Sequence, residues 1–554
     1  MSKKKRSFPT AFTVLFIVLI FAAVLTYVVP AGSYSKLAYD DTKNVFTVTK
    51  PDGSVKDLPG TQATLDNLKI NMNIQKFKDG GISKPVAIPG TYQKVKQNPQ
   101  GLVNIIQAPI EGVYDTVDII MFVLIIGGCI GVLNSSGALD AGIASLSRAT
   151  KGKEFLLIII VTALISLGGT TFGLAEETIA LYPILVPVFM AAGYDAMVCI
   201  AALYMGSSIG TMFSTVNPFS SVIASNAAGT TFTQGLGIRT VGLIISTIIT
   251  IVYIVRYGNK IKKDPTKSLI YDQKDEIEER FFKDHENKKV PEFTTRRKLM
   301  IIIFTLAFVV MIWGVSTQEW WFTEMTALFL VVGIGLGVIS GLGEKQFVDR
   351  FVSGAADLVG VALVIGVARS INLIMESGLI SDTILHSATN MVQGMNSKAF
   401  ILVMLLVFIV LGFFIPSSSG LAVLSMPIMA PLADAVGLPR DVIVSAYQFG
   451  QGLISFITPT GLILATLAMV DVTYDKWLKF IMPLMGYIAV FAAVMLLIQT
   501  STLINKNQVM HTLNAGLTKG CAFFMWNVYP LTKMDIILYM TIKWNSCIIN
   551  YMGE

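Results

Sequence analysis

Long apolar runs alternate with two polar stretches along the chain. Lys3-Lys4-Lys5-Arg6 precede an apolar run from Ala11 to Val29. Nineteen residues at about 1.5 Å each span roughly 28 Å, the thickness of one hydrocarbon core. A signal peptide would have a shorter apolar region and a clear cleavage site, so residues 1–30 read as a retained transmembrane helix. Its basic end predicts a cytoplasmic N-terminus. Residues 31–101 are polar and read as an extracytoplasmic loop with short strands such as Val45–Thr49. The ten lysines of that loop do not contradict this, because long loops translocate largely regardless of charge.

The second polar stretch, 256–298, holds 13 Lys or Arg and 9 Asp or Glu. Such a block is a solvated segment, and 257–298 reads as a cytoplasmic linker. It separates a first membrane repeat at 102–256 from two helices at 299–342 and a second membrane repeat at 343–500. Residues 501–554, with Trp526 and Trp544 in short broken apolar patches, form an atypical tail.

Composition agrees with the pattern. Of 554 residues, 53% are hydrophobic and only 14% charged, against about 25% charged in soluble domains. The chain therefore reads as an all-α polytopic membrane protein of the plasma membrane, partnered by the lipid bilayer and not by nucleic acid. The four cysteines have no C-x-x-C spacing and the three histidines are far apart, so neither a metal nor a cofactor is expected.

An internal repeat organises the apolar part. Pro183, Pro187, Gly193 and Gly206 recur as Pro427, Pro431, Gly437 and Gly450, all at an offset of 244. Upstream, Gly112 and Asp115 recur as Gly354 and Asp357 at an offset of 242, and Gly127 and Gly137 correspond to Gly366 and Gly378. Counting crossings, the segment at about 115–143 enters from outside. Its counterpart near 354 follows one extra helix and enters from inside. The count predicts two inverted repeats, the arrangement of secondary transporters with a midplane site.

Each repeat should hold a re-entrant hairpin and a broken helix. The first hairpin has short arms, 154–167 and 174–190, around a tip at Gly168–Gly173. The second has its tip at Pro416–Gly420. The helix breaks fall at Ser214–Pro218 and Thr458–Gly461, since a helix cannot run through a proline undisturbed. Polar backbone at membrane depth must be buried or line a cavity, so the four breaks should converge. Their polar residues are the substrate-binding candidates Thr170, Thr171, Asn217, Ser417, Ser418, Ser419, Thr458 and Thr460.

Three charges fall inside apolar runs: Glu176, Glu177 and Arg369. Each costs about 2.5–3.5 kcal/mol at a helix centre on insertion scales. A substrate with a carboxylate and an ammonium would answer both signs, with Arg369 holding the carboxylate through its planar fork. The other reading is an internal ion pair, such as Arg369 with Asp357 or Glu376. Asp115, Asp118 and Asp357 near helix ends, and Trp320-Trp321 between two helices, read as interfacial. Gly206-Ser207-Ser208-Ile209-Gly210 matches the hydrolase elbow G-x-S-x-G but sits in a membrane helix without a histidine. It reads as a helix-packing patch. No nucleotide motif is present, and the sequence points away from an enzyme.

The sequence resembles the YfcC family of the C4-dicarboxylate anaerobic carrier group, within the ion transporter superfamily. The residues that carry this are Phe8-Pro9-Thr10-Ala11 leading into Val28–Tyr34, Gly168–Glu177, Gly206–Pro218, Gly366–Gly378 with Arg369, and Pro416–Pro431. The resemblance implies a homodimer that moves substrate by an elevator-like mechanism. Relatives carry carboxylates, often with sodium, and some resemble arginine/ornithine antiporters. Sodium-binding members often show Ser-Asn-Thr at the tips. Here only the first half has an asparagine, which makes Ser214, Thr215 and Asn217 the coupling-ion candidates and leaves sodium, proton or counter-substrate open. The expectation is a secondary active transporter of an amino acid or organic carboxylate, with basic amino acid exchange favoured by the glutamate pair. The alternatives are a C4-dicarboxylate carrier and a passive channel.

Overall fold

The computed structural model describes residues 9–79, 82, 84–282, 291–318, 320–392 and 394–518. The basic run Lys3–Arg6 and the tail tryptophans Trp526 and Trp544 lie outside them. Residues 1–500 form one compact unit; of the second, 501–554, the described part is the helical end of Tyr474–Thr518. Among the described residues, nine helices are long and apolar enough to cross a membrane.

Residues 31–101 do contain strands, Val45–Thr49 among them. Four of the six described strands form an antiparallel sheet in the spatial order Val55–Pro59, Val45–Thr49, Lys36–Asp40, Val86–Ala87, and Gly32–Ser33 pairs with Gln93–Lys94. Leu37, Phe46, Val48 and Val86 face the small core, as period-two alternation requires. This unit is fastened to the helices at Ser381–Met391: Asp382 accepts from the Tyr34 N–H at 3.0 Å, and Tyr92 stacks on His386 at 4.0 Å.

Burial separates central from peripheral spans. Two-thirds of Val359–Ser377 (67%) is inside the protein, against 28% of Ala11–Val28, whose exposed apolar residues suit lipid contact. Phe122, Phe304, Phe322 and Phe329 form an aromatic cluster among Val117–Ser135, Thr295–Thr317 and Phe322–Ser340.

Glycines set the closest helix contacts. Helix Leu102–Asp115 lies on Val359–Ser377, where a Cβ on Gly112 would collide with the Gly366 carbonyl. Helix Val117–Ser135 lies on Glu344–Ala356, where a Cβ on Gly127 would stand 2.6 Å from the Gly354 carbonyl. Gly112 corresponds to Gly354 in the repeat, and Gly366 to Gly127, so the two contacts exchange corresponding positions.

Two local expectations change. The segment at 115–143 is not one continuous helix but the end of Leu102–Asp115, then the span Val117–Ser135, then the start of Ala138–Thr150. The bends are Thr116, whose Oγ1 donates back to the Gly112 carbonyl at 2.8 Å, and Gly137 at φ 68°. At the first hairpin, Gly168 to Thr171 stay helical at the end of Phe155–Thr171, and the turn is Phe172–Ala175. The glycines serve packing instead: a Cβ on Gly169 would stand 2.6 Å from the Ser207 carbonyl, and Gly210 faces the Ser166 carbonyl. The G-x-S-x-G stretch is thus a close-packing patch in Gly206–Met212. The second hairpin turns at 415–417 between Ser397–Phe414 and Ser418–Ala435. The helix breaks at 213–217 and 456–462 stand where the prolines put them.

Candidate functional site

Buried backbone polar groups must be paired, so the breaks raise an accounting question. Three carbonyls at the second break accept from side chains of other elements: Ser455 from Tyr204 Oη (2.6 Å), Phe456 from Trp477 Nε1 (2.9 Å), and Ile457 from Tyr474 Oη. At the first break Asn217 Nδ2 donates to the Gly169 carbonyl at 3.0 Å, and the Thr215 N–H donates to Thr170 Oγ1 at 2.9 Å. The hairpin turns are tied similarly. Ser207 donates to the Leu174 carbonyl, and Gln451, 244 positions later, donates to the Pro416 carbonyl at 3.3 Å.

The hairpin turns and helix breaks surround a cavity of about 510 Å³. That lies in the range of small-molecule sites, about 300–1,000 Å³. Of the sequence candidates, Glu176, Glu177, Asn217, Arg369, Ser417, Ser418, Ser419, Thr458 and Thr460 line it. Thr170, Thr171, Ser214 and Thr215 are not among its lining residues. Thr170 is buried against Thr215, and Thr171 Oγ1 donates to the Leu167 carbonyl within its own helix. Both sit on the helical arm because the turn begins one residue later.

The cavity is electrically divided. The 3-10 turn Glu176–Leu181, which opens the return arm of the first hairpin, presents Glu176 and Glu177. Asp118, at the start of Val117–Ser135, is within electrostatic reach of Glu176. Glu177 Oε2 accepts from the Ala175 N–H at 3.0 Å, which fixes that carboxylate over the turn. The second hairpin contributes donors: hydroxyls of Ser417, Ser418 and Ser419 at the start of Ser418–Ala435, where Ser417 Oγ accepts from the Gly420 N–H at 3.1 Å.

Arg369 projects from Val359–Ser377 into the same space. Its Nε donates to Asp115 Oδ2 at 2.5 Å, and Nη1 is 3.7 Å from Glu376 Oε1. The pairing with Glu376 is the one the sequence allowed; Asp357 lines a different cavity, with Gly127 and Arg280. Arg369 carries five N–H donors, so a carboxylate of a bound molecule can still be served. Asp115 and Asp118, read as interfacial, are lining residues. So is Trp321, which packs against Phe219 at 5.3 Å between ring centroids.

Behind the first break stands a buried network. Arg239, wholly buried, donates from Nη1 to Gln448 Oε1 at 3.5 Å. An arginine only donates, so it fixes the orientation of the Gln448 amide. Gln448 Nε2 therefore faces Ser214, at 2.6 Å from Oγ and 3.4 Å from the carbonyl oxygen. Ser214 Oγ also contacts Ser221 Oγ at 2.8 Å. The Ser214 oxygens thus meet an N–H donor.

Sequence reasoning missed Lys84, which donates to Ser419 Oγ at 2.9 Å from the polar segment and lines the cavity. Nothing distinguishes it from the nine other lysines there. Gln451 did have a signal, the 244-residue offset from Ser207.

Comparison with known proteins supplies context for this cavity. The family model of the C4-dicarboxylate anaerobic carrier matches residues 8–501. An uncharacterized protein from Haemophilus influenzae is 50% identical over 502 residues, covering 90% of this chain and 99% of its own length. YfcC of Escherichia coli, whose name assigns it provisionally to basic amino acid antiport, is 32% identical over 518 residues, covering 89% of this chain and 96% of its own. Two solved transporters align at 14% identity and a TM-score of 0.36. MtrF of Neisseria gonorrhoeae, described within a class of antimetabolite efflux pumps, covers 89% of this chain and 96% of its own. The YdaH transporter of Alcanivorax borkumensis covers 88% and 98%.

Proposed function

The chain belongs to the C4-dicarboxylate anaerobic carrier family, a multi-pass membrane transporter, and from that premise we propose that it exchanges basic amino acids across the plasma membrane. The observation that carries this reading is the charge of the cavity. Among the described residues that line it, four acids, Asp115, Asp118, Glu176 and Glu177, stand against two bases, Arg369 and Lys84. Fully ionised, the lining has two more negative than positive charges. A cationic amino acid, with one net positive charge, halves that excess, whereas a dicarboxylate doubles it. The division of the cavity also matches the substrate: the α-carboxylate lies towards Arg369 and the second-hairpin hydroxyls, and a cationic group towards Glu176 and Glu177. The name of the YfcC relative points the same way.

Exchange needs no dedicated cation site, and the hydrogen bonding supports this. Three carbonyls at the second break, those of Ser455, Phe456 and Ile457, accept from Tyr204, Trp477 and Tyr474, and the Ser214 oxygens face Gln448 Nε2. A sodium at Ser214, Thr215 and Asn217 would have to displace an amide whose orientation Arg239 enforces. The counter-substrate then does the work of the coupling ion. The exchanged contacts Gly112–Gly366 and Gly354–Gly127 support two related repeats, 102–256 and 343–500. In the proposed topology they are inverted, and the basic charge of the N-terminal run and of the linker 257–298 favours the cytoplasm for both. An elevator-like movement in a homodimer is the mechanism proposed for the repeats.

Counterflow in proteoliposomes tests the reading. Vesicles loaded with arginine or ornithine should accumulate labelled arginine, with or without sodium. Accumulation of labelled succinate alone would replace this reading with the C4-dicarboxylate carrier. Equilibration without counterflow would mean a passive channel.

A further inference from the structure

Lys84 reaches the cavity from a different part of the molecule than every other lining residue, since the rest come from the membrane helices and their connections. It stands just before the strand Val86–Ala87, whose two residues are buried. That strand pairs with Lys36–Asp40 in the sheet and packs against Ser418–Ala435, the return arm of the second hairpin. The sheet therefore carries Lys84 to the hairpin tip. There its Nζ donates to Ser419 Oγ at 2.9 Å and lies 3.5 Å from Ser417 Oγ. Burial lowers the pKa of this ammonium and the neighbouring Arg369 lowers it further, while Glu376 and Asp115 act in the opposite sense.

We propose that Lys84 is a tethered ammonium that latches the second hairpin tip to the sheet of residues 31–101 and occupies the hydroxyls that the α-carboxylate of an arriving substrate would meet. The inference rests on the reading of this cavity as the transport site for a cationic amino acid. Lysine suits the role: it is a point charge on a flexible stem, and it leaves two hydroxyls without breaking a planar fork. While it is in place, the Ser417 and Ser419 hydroxyls are engaged and the entrance on this side is narrowed. A site competent only part of the time shows its intrinsic affinity reduced by that fraction, so releasing the latch should tighten apparent binding.

Two readouts test this in the full chain, one of them independent of substrate. Ala368→Cys places a thiol on the cavity wall, and Asp52→Cys places one on the exposed sheet turn. A membrane-impermeant maleimide applied to the side where Asp52→Cys reacts measures access, with the parent as baseline for the native cysteines. Adding Lys84→Ala should raise the Ala368→Cys labelling rate roughly tenfold, the order expected for losing one charged hydrogen bond. Lys84→Arg should restore the slow rate. In counterflow, Lys84→Ala should lower the half-saturating arginine concentration on that side. Unchanged labelling in Lys84→Ala overturns the latch even if arginine exchange is present. Faster labelling without arginine exchange in the parent would retain the latch on the hairpin but remove both its effect on arginine binding and the transport reading.

Discussion

Arg369 donates from Nε to Asp115 Oδ2 at 2.5 Å, joining two helices whose contributing residues are 254 positions apart in sequence. The pair sets the position of the guanidinium in the cavity, with Glu376 on its other side. Arg369→Ala should abolish arginine counterflow, because it removes the carboxylate partner and leaves Asp115 unpaired. Asp115→Asn should raise the half-saturating concentration roughly tenfold while keeping exchange. If the unfolding temperature of the double variant is no lower than that of Arg369→Ala alone, the two act as one unit.

In the proposed site the glutamate pair selects for substrate charge. Glu176→Gln and Glu177→Gln should each raise the half-saturating arginine concentration about tenfold or more, the scale of one lost charge-assisted hydrogen bond. Competition by succinate should not weaken. Variants that exchange arginine like the parent would remove the basis for a cationic substrate.

Gly112 and Gly354 should be equally intolerant of a side chain. An alanine Cβ at either position meets a backbone carbonyl that cannot move aside cheaply. Overpacking of this kind costs about 1–3 kcal/mol, so thermal unfolding in detergent should fall by several degrees for Gly112→Ala and Gly354→Ala. Gly335→Ala, with open space around its Cβ, is the control and should unfold like the parent.

The Ser214 network should be structural. Ser214→Ala takes the side-chain acceptor from Gln448 Nε2 in a buried place, at about 1–3 kcal/mol of stability. Residual arginine exchange should be equal in sodium and in choline medium. A sodium dependence in the parent that disappears in Ser214→Ala would reinstate the ion site.

Glu154 gives a pH signature outside the membrane spans. The Gly152 N–H at 2.8 Å, its own N–H and Lys262 at 3.2 Å hold its carboxyl down to about 2, from an ordinary value of 4.5. A depressed folded-state pKa stabilises fully above the unfolded value and is lost as pH falls. Unfolding temperature should drop between about pH 4.5 and 2 in the parent. Glu154→Gln should be less stable at neutral pH and show a shallower fall.

Much of this architecture was legible in the chain. Apolar runs report spans because lipid cannot satisfy a backbone polar group, so helix length and hydropathy must agree. Proline and glycine located the breaks at 214–218 and 458–461, since proline has no N–H to continue a helix. The first hairpin turn was misplaced because Gly168-Gly169-Thr170-Thr171 looks like a turn in isolation. In the fold those glycines are helical, and their missing side chains let the arm approach Ser207 and Gly210.

The partners of the buried charges belonged to tertiary structure. Sequence identified Glu176, Glu177 and Arg369, because a charge in an apolar run is costly wherever it points. It offered Asp357 or Glu376 as partners of Arg369; the folded helices kept Glu376 and put Asp115 where Asp357 was expected. Lys84 carried no local signal, for a lysine in a polar loop is ordinary until a strand delivers it to a hairpin. Hydropathy, helix breaks and buried charge are properties of a segment and its solvent, so the sequence alone determined them. Which oxygen faces which nitrogen depends on the approach of segments hundreds of residues apart, and only the tertiary structure decided that.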